Sequence, residues 1–116
     1  MKDNTELLTI NRGVLTLVRK QPFHAWSQAL SPGLEMDEGE KKMHHAYLVR
    51  DDIGPGSLER MVERWFPRFF ENELYEEWED EKKWPQDRTW EMFNDWFDWY
   101  YAPMSWDMEN GEIEKD

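Results

Sequence analysis

Cysteine is absent from this chain of 116 residues. That excludes a disulfide scaffold, a cysteine nucleophile and a thiolate metal site, and it fits a reducing compartment. Long apolar runs are missing too. Val14-Leu15-Thr16-Leu17-Val18 is far too short for a signal-peptide core or a membrane span, and Met1 to Glu6 are polar and mixed in charge. A cytoplasmic protein away from the membrane is expected. Positive charge is scarce: 14 Lys and Arg stand against 26 Asp and Glu, a net charge of −12. Such a field repels nucleic-acid phosphates and anionic lipid, so direct binding to either is not expected. No glycine-rich phosphate loop occurs, because Gly54-Pro55-Gly56-Ser57 has the wrong spacing and a proline where an N–H is needed. No Gly-x-Ser-x-Gly turn exists, and Ser27, Ser31, Ser57 and Ser105 lack a strand-to-helix elbow.

What the chain does hold is tryptophan, eight in all, within an aromatic content of 16%. Each buried Trp removes roughly 150–250 Å² from water, about 4–6 kcal/mol of gross driving force at ~25 cal/mol per Å². Aromatics on this scale argue against disorder despite the charge. They indicate how a core is built, not a reaction. The length corresponds to one domain, large enough to fold without staples.

Residues 1–11 read as a flexible lead-in, 12–108 as one domain and 109–116 as an acidic tail. Val14 to Arg19, β-branched and apolar on both faces, predicts an interior strand. Pro22 suits a helix start, and Phe23, Trp26 and Leu30 follow on one face of a short helix ended by Ser31-Pro32-Gly33. Residues 35–43 form a charged connection and Ala46 to Arg50 a second strand. After the turn cluster 51–56, Ser57 is placed to cap a long helix carrying Leu58, Met61, Val62, Trp65, Phe69, Phe70, Leu74 and Trp78. Pro67 predicts a kink or a break in it. Thr89 is placed to cap a last helix with Trp90, Phe93, Trp96 and Phe97. From Trp99 to Met108 the period becomes two with a proline inside, which reads as a one-sided edge strand. The order β-α-β-α-α-β predicts an α+β fold, a small three-stranded sheet with three to four helices packed mainly on one face.

Two motifs stand out: Lys20-Gln21-Pro22-Phe23 followed by Trp26, and Trp84-Pro85 followed by Arg88-Thr89, Met92-Phe93 and Trp96-Phe97. On these the chain, over roughly residues 11–108, resembles an uncharacterised family of small acidic bacterial proteins of unassigned function. The resemblance implies a bacterial cytosolic protein and carries over no catalytic or binding residue.

Seven carboxylates between Glu71 and Glu81 have no base among them. Glu73, Glu76, Glu77 and Asp80 would share one helix face, which reads as a solvated face or a surface for a basic partner rather than a cation site, since no Asp/Gly-rich loop accompanies it. Arg60, Arg64 and Arg68, four apart with Glu59 and Glu63 beside them, read as a salt-bridged helix face rather than an anion site. His24, His44 and His45 are scattered, and the adjacent pair points to opposite faces of a strand, so no metal site and no cofactor is expected. Paired carboxylates for acid–base work are abundant by composition alone, which carries no weight.

Trp65, Phe69, Phe93, Phe97 and Trp106 lie on predicted inward faces. Trp78, Trp84, Trp99 and Tyr100 sit beside charges or turns and are harder to bury, and exposed Trp and Tyr anchor interfaces. An aromatic patch rimmed by carboxylates suits a cationic partner. The expected function is a non-enzymatic interaction or regulatory module that presents Trp78, Trp84, Trp99, Tyr100, Glu73, Glu76, Glu77 and Asp80 to a basic protein. Two alternatives stay open. One is a small enzyme or metabolite-binding protein with a Trp-lined pocket closed by a carboxylate and a His. The other is a homodimer or higher oligomer paired through the 99–108 edge strand.

Overall fold

In the computed structural model, which describes residues 7–34, Gly39 and 44–116, the chain forms a mixed α+β fold. Its elements are β1 (Leu8–Thr9), β2 (Gly13–Arg19), α1 (Gln21–Leu30), β3 (His45–Val49), α2 (Leu58–Glu77), α3 (Trp90–Trp96), β4 (Phe97–Ala102) and β5 (Trp106–Asp107), with a 3-10 turn at Glu81–Lys83. β2 is the centre of a three-stranded antiparallel sheet ordered β3-β2-β4, and β1 pairs with β5 in a separate two-stranded ribbon. Most of the charged connection at 35–43 lies outside the described residues.

The sheet has two unlike faces. Leu15 and Leu17 of β2 are fully buried, while Val14, Thr16 and Val18 are only half-buried. In register, Leu15 stands opposite Tyr47 and Tyr101, and Leu17 opposite His45 and Trp99. Successive side chains of a strand alternate faces, so these residues share the core side. One phenylalanine from each helix meets Phe97 there: Phe23 of α1 at 5.5 Å, Phe70 of α2 at 5.3 Å and Phe93 of α3 at 5.2 Å between ring centroids. The described helices therefore cover one face, and the other carries Leu48 and Tyr100, both exposed.

Local chemistry sets the element ends. Pro22 occupies the first turn of α1, where its missing N–H costs nothing, and the chain beyond turns through Gly33 at φ +87°, a left-handed conformation suited to glycine. The Thr89 hydroxyl caps α3 by accepting from the Met92 N–H at 3.1 Å. Ser57 occupies the cap position of α2 without a side-chain bond. Gly13 is required by close approach. A Cβ there would stand 2.6 Å from Tyr101 Cε1 and 2.9 Å from the Arg50 carbonyl oxygen, which accepts from the Tyr101 hydroxyl at 2.8 Å.

Several expectations are corrected. Pro67 does not break α2, which runs from Leu58 to Glu77; the ring sits on the exposed side of the helix, where solvent can reach the carbonyl it leaves unpaired. Phe97 opens a strand instead of ending the last helix. The 99–108 segment is not one edge strand. β4 stops at Ala102, because Pro103 cannot donate to a ladder, and the chain resumes at Trp106 to pair with Thr9. Two residues of the lead-in are thus a strand. Trp106, 52% exposed, and Trp65, 39% exposed, are not core residues. Among the described residues no helix is long and apolar enough to cross a membrane.

Candidate functional site

Arg19, the last residue of β2, continues the buried row of Leu15 and Leu17 and faces α2. Its Nε donates to Glu73 Oε1 at 3.0 Å and its Nη1 to Glu77 Oε2 at 3.1 Å, while the guanidinium lies 4.2 Å from the Phe23 ring centroid. The other oxygen of Glu73 accepts from the Tyr47 hydroxyl at 2.5 Å and lies 2.6 Å from His45 Nδ1. Asn72 Nδ2 donates to the Tyr47 hydroxyl at 2.9 Å, and the Ser27 hydroxyl donates to Glu77. Burial pushes the Tyr47 phenol far above the ordinary tyrosine range, and the hydrogen bond to Glu73 and its negative charge add to the shift. Glu73 is fully buried. A carboxylate enclosed by an arginine, a tyrosine and a histidine cannot reach a ligand, so this cluster ties α2 to the sheet.

That burial corrects the expectation of one solvated carboxylate face. Glu76 and Asp80 are exposed, whereas Glu73 is buried and Glu77 is drawn to Arg19. The four aromatics are also divided. Trp84 is buried, its Nε1 donating to the Trp78 carbonyl at 2.6 Å, with the Arg88 guanidinium 5.8 Å from its ring. Trp78 and Trp99 are half-buried, and Trp99 Nε1 donates to Asn94 Oδ1 at 3.0 Å. Tyr100 is 61% exposed, on the sheet face opposite Trp99. The eight residues do not form one patch. A signal for Glu73 was present: it stands four residues after Phe69 and three after Phe70, inside the apolar stripe, and an arginine ends the apolar strand opposite.

The two sequence motifs pack on each other. Phe23 and Trp26 meet Trp96 at 6.0 and 6.2 Å, Trp26 Nε1 donates to the Lys83 carbonyl at 2.9 Å, and the Lys20 N–H donates to the Trp96 carbonyl at 2.8 Å. Their residues build the α1–α3 contact.

What remains on the outside is strongly acidic. Between residues 71 and 100 eleven carboxylates stand against three cations. Nine are exposed: Glu71, Glu76, Glu79, Asp80, Glu81, Asp87, Glu91, Asp95 and Asp98. Arg88 is held by Glu71 at 3.1 Å and Lys20 stands 3.8 Å from Asp98, which leaves Lys82 and Lys83 as the exposed cations within 71–100.

A second feature lies beside β3. A cavity of about 780 Å³ is lined by Tyr47, Leu48, Val49, Arg50, Asp51 and Asp52 on one side and by Met61, Trp65, Arg68, Phe69 and Asn72 of α2 on the other, with Asn11 and Arg12 at one end. Among the described residues the Arg60–Arg64–Arg68 stripe does not form the expected salt bridges. None of the three pairs with Glu59 or Glu63; Arg64 lies 5.5 Å from the Trp65 ring centroid and Arg68 faces the cavity. His24 packs edge-on to Phe23, and His45 Nδ1 lies on Glu73. Among the described residues no three His, Asp or Glu are gathered to hold a metal. Comparison with known protein families, curated proteins and solved structures finds no match to this chain.

Proposed function

We propose that this protein is a non-enzymatic interaction or regulatory module of the bacterial cytoplasm that offers its acidic C-terminal half to a basic protein partner. One observation carries the reading: of nine exposed carboxylates between Glu71 and Asp98, only Glu71 and Asp98 are ion-paired among the described residues, with Arg88 and Lys20. A field of this kind accelerates encounter with a positive surface and weakens as salt screens it. Glu76 and Asp80 remain contact residues of this surface, with the half-buried Trp78 and Trp99 at its margin and Tyr100 on the open sheet face. Glu73, Glu77 and Trp84 serve the fold beneath it. Membership of the acidic bacterial family rests on the two packed motifs.

The test is affinity capture from bacterial lysate at low and moderate salt, with a variant carrying Glu76→Lys, Glu79→Lys, Glu91→Lys and Asp95→Lys beside the native chain. A basic protein retained by the native chain, lost at moderate salt and absent from the variant, supports the reading. Identical partners on both would sink it.

A further inference from the structure

The cavity beside β3 has a shape that its lining residues define. Consecutive strand residues point to opposite faces of a sheet, so a hollow lined by Tyr47, Leu48 and Val49 in succession lies along the strand's edge, not on either face. Its far wall is Met61, Trp65, Arg68, Phe69 and Asn72, which at spacings of four, seven, eight and eleven form one side of α2. β3 is the outer strand of its sheet, and among the described residues no strand pairs with its free side. Alternate N–H and C=O groups of such an edge are open to pairing. The helix wall from Met61 to Asn72 is about 16 Å long at 1.5 Å per residue, the length of roughly five residues of extended chain at 3.3 Å each.

The charge of the groove sets it apart from the rest of the molecule. Arg12, Arg50 and Arg68 meet Asp51 and Asp52, and Asp52 is held by Arg50 at 2.9 and 3.0 Å. That leaves Arg12 and Arg68 against Asp51, an excess of positive charge on a chain of net charge −12. Between these cations the floor is apolar and aromatic, from Met61, Trp65 and Phe69.

We propose that the groove between the free edge of β3 and α2 binds an extended peptide segment of a partner protein, added to the sheet as a fourth strand, with apolar side chains over Trp65 and Phe69 and carboxylates at Arg12 and Arg68. Main-chain pairing supplies affinity in such strand addition, and the side-chain pockets supply selection. The site is separate from the acidic face, so either can fail without the other.

The probes are fluorescein-labelled, terminally blocked seven-residue peptides with Val, Leu or Phe at positions 3 and 5 and glutamate at positions 1 and 7, which share one face of an extended chain, their lysine counterparts, and glutamate peptides N-methylated at one or the other alternate set of residues. Anisotropy is read with the native chain and with Arg68→Glu and Trp65→Ala, both changes at exposed side chains. Glutamate peptides bind, lysine peptides bind at least tenfold more weakly, and each variant weakens binding at least tenfold. N-methylation abolishes binding in one alternate set and leaves it in the other, because only alternate peptide N–H groups face the edge. Absence of binding, equal binding of the lysine peptides, or indifference to both methylation patterns overturns the proposal. So does a dimer of the native chain that Arg68→Glu dissociates, which would assign the groove to a second copy.

Discussion

Glu73, fully buried in α2, accepts from Arg19 of β2 at 3.0 Å across 54 residues of chain. The pair fixes the helix to the sheet at the end where β2 stops. Removing one partner leaves the other charge without its counter-charge in a dry site, at a typical cost of about 3–5 kcal/mol. Arg19→Met therefore destabilises the protein by an amount in that range in urea unfolding; a loss below about 1 kcal/mol would show that Tyr47 and His45 suffice to hold Glu73.

Tyr47 gives the cluster a pH signature. Its phenol is raised from the usual 10.0 by burial first, then by the Glu73 hydrogen bond and charge. A raised value means that the folded state keeps a proton the unfolded state releases, so this stabilisation is complete below pH 10 and declines as pH rises beyond it. Tyr47→Phe is less stable than the native chain at pH 8, and the gap narrows at pH 11. A gap that is the same at both values contradicts this role.

Gly13 leaves no room for a side chain between Tyr101 and the Arg50 carbonyl. Gly13→Ala costs roughly 1–3 kcal/mol, the range for overpacked sites. Because Tyr101 is the nearer obstacle, Tyr101→Ala in the Gly13→Ala background recovers part of the loss. Thermal unfolding of the single and double variants decides this.

Pro67 lies on the exposed side of an uninterrupted α2. Proline inside a helix is roughly 3 kcal/mol less favourable than alanine, offset in part by the stiffer unfolded chain. Pro67→Ala raises stability by about 1–2 kcal/mol; a decrease in guanidinium unfolding would mean that the ring has a packing role.

Local signals were readable where one residue's chemistry decides the outcome. The apolar row of Val14 to Val18 marked a central strand, Pro22 a helix start and Thr89 a cap; of the expected 99–108 strand only the part up to Ala102 joins the three-stranded sheet. In the acidic stripe, period alone cannot separate a solvated carboxylate from one that meets an arginine 54 residues away. Trp84 stands beside Lys82 and Lys83 in sequence, yet its ring turns inward and its N–H finds the Trp78 carbonyl. The groove was illegible in principle. It is made by the edge of one strand and the face of a distant helix, and no single segment carries its pattern.

The proposed contact role of the acidic half can be read directly at its carboxylates. Zero-length carbodiimide coupling of the captured complex joins a carboxylate only to an amine in contact with it, and peptide mass spectrometry then locates the joints. The expected links run from Glu76, Glu79, Asp80, Glu91 or Asp95 to lysines of the partner and are lost at moderate salt. Links confined to residues 109–116, or to carboxylates outside 71–100, would contradict it.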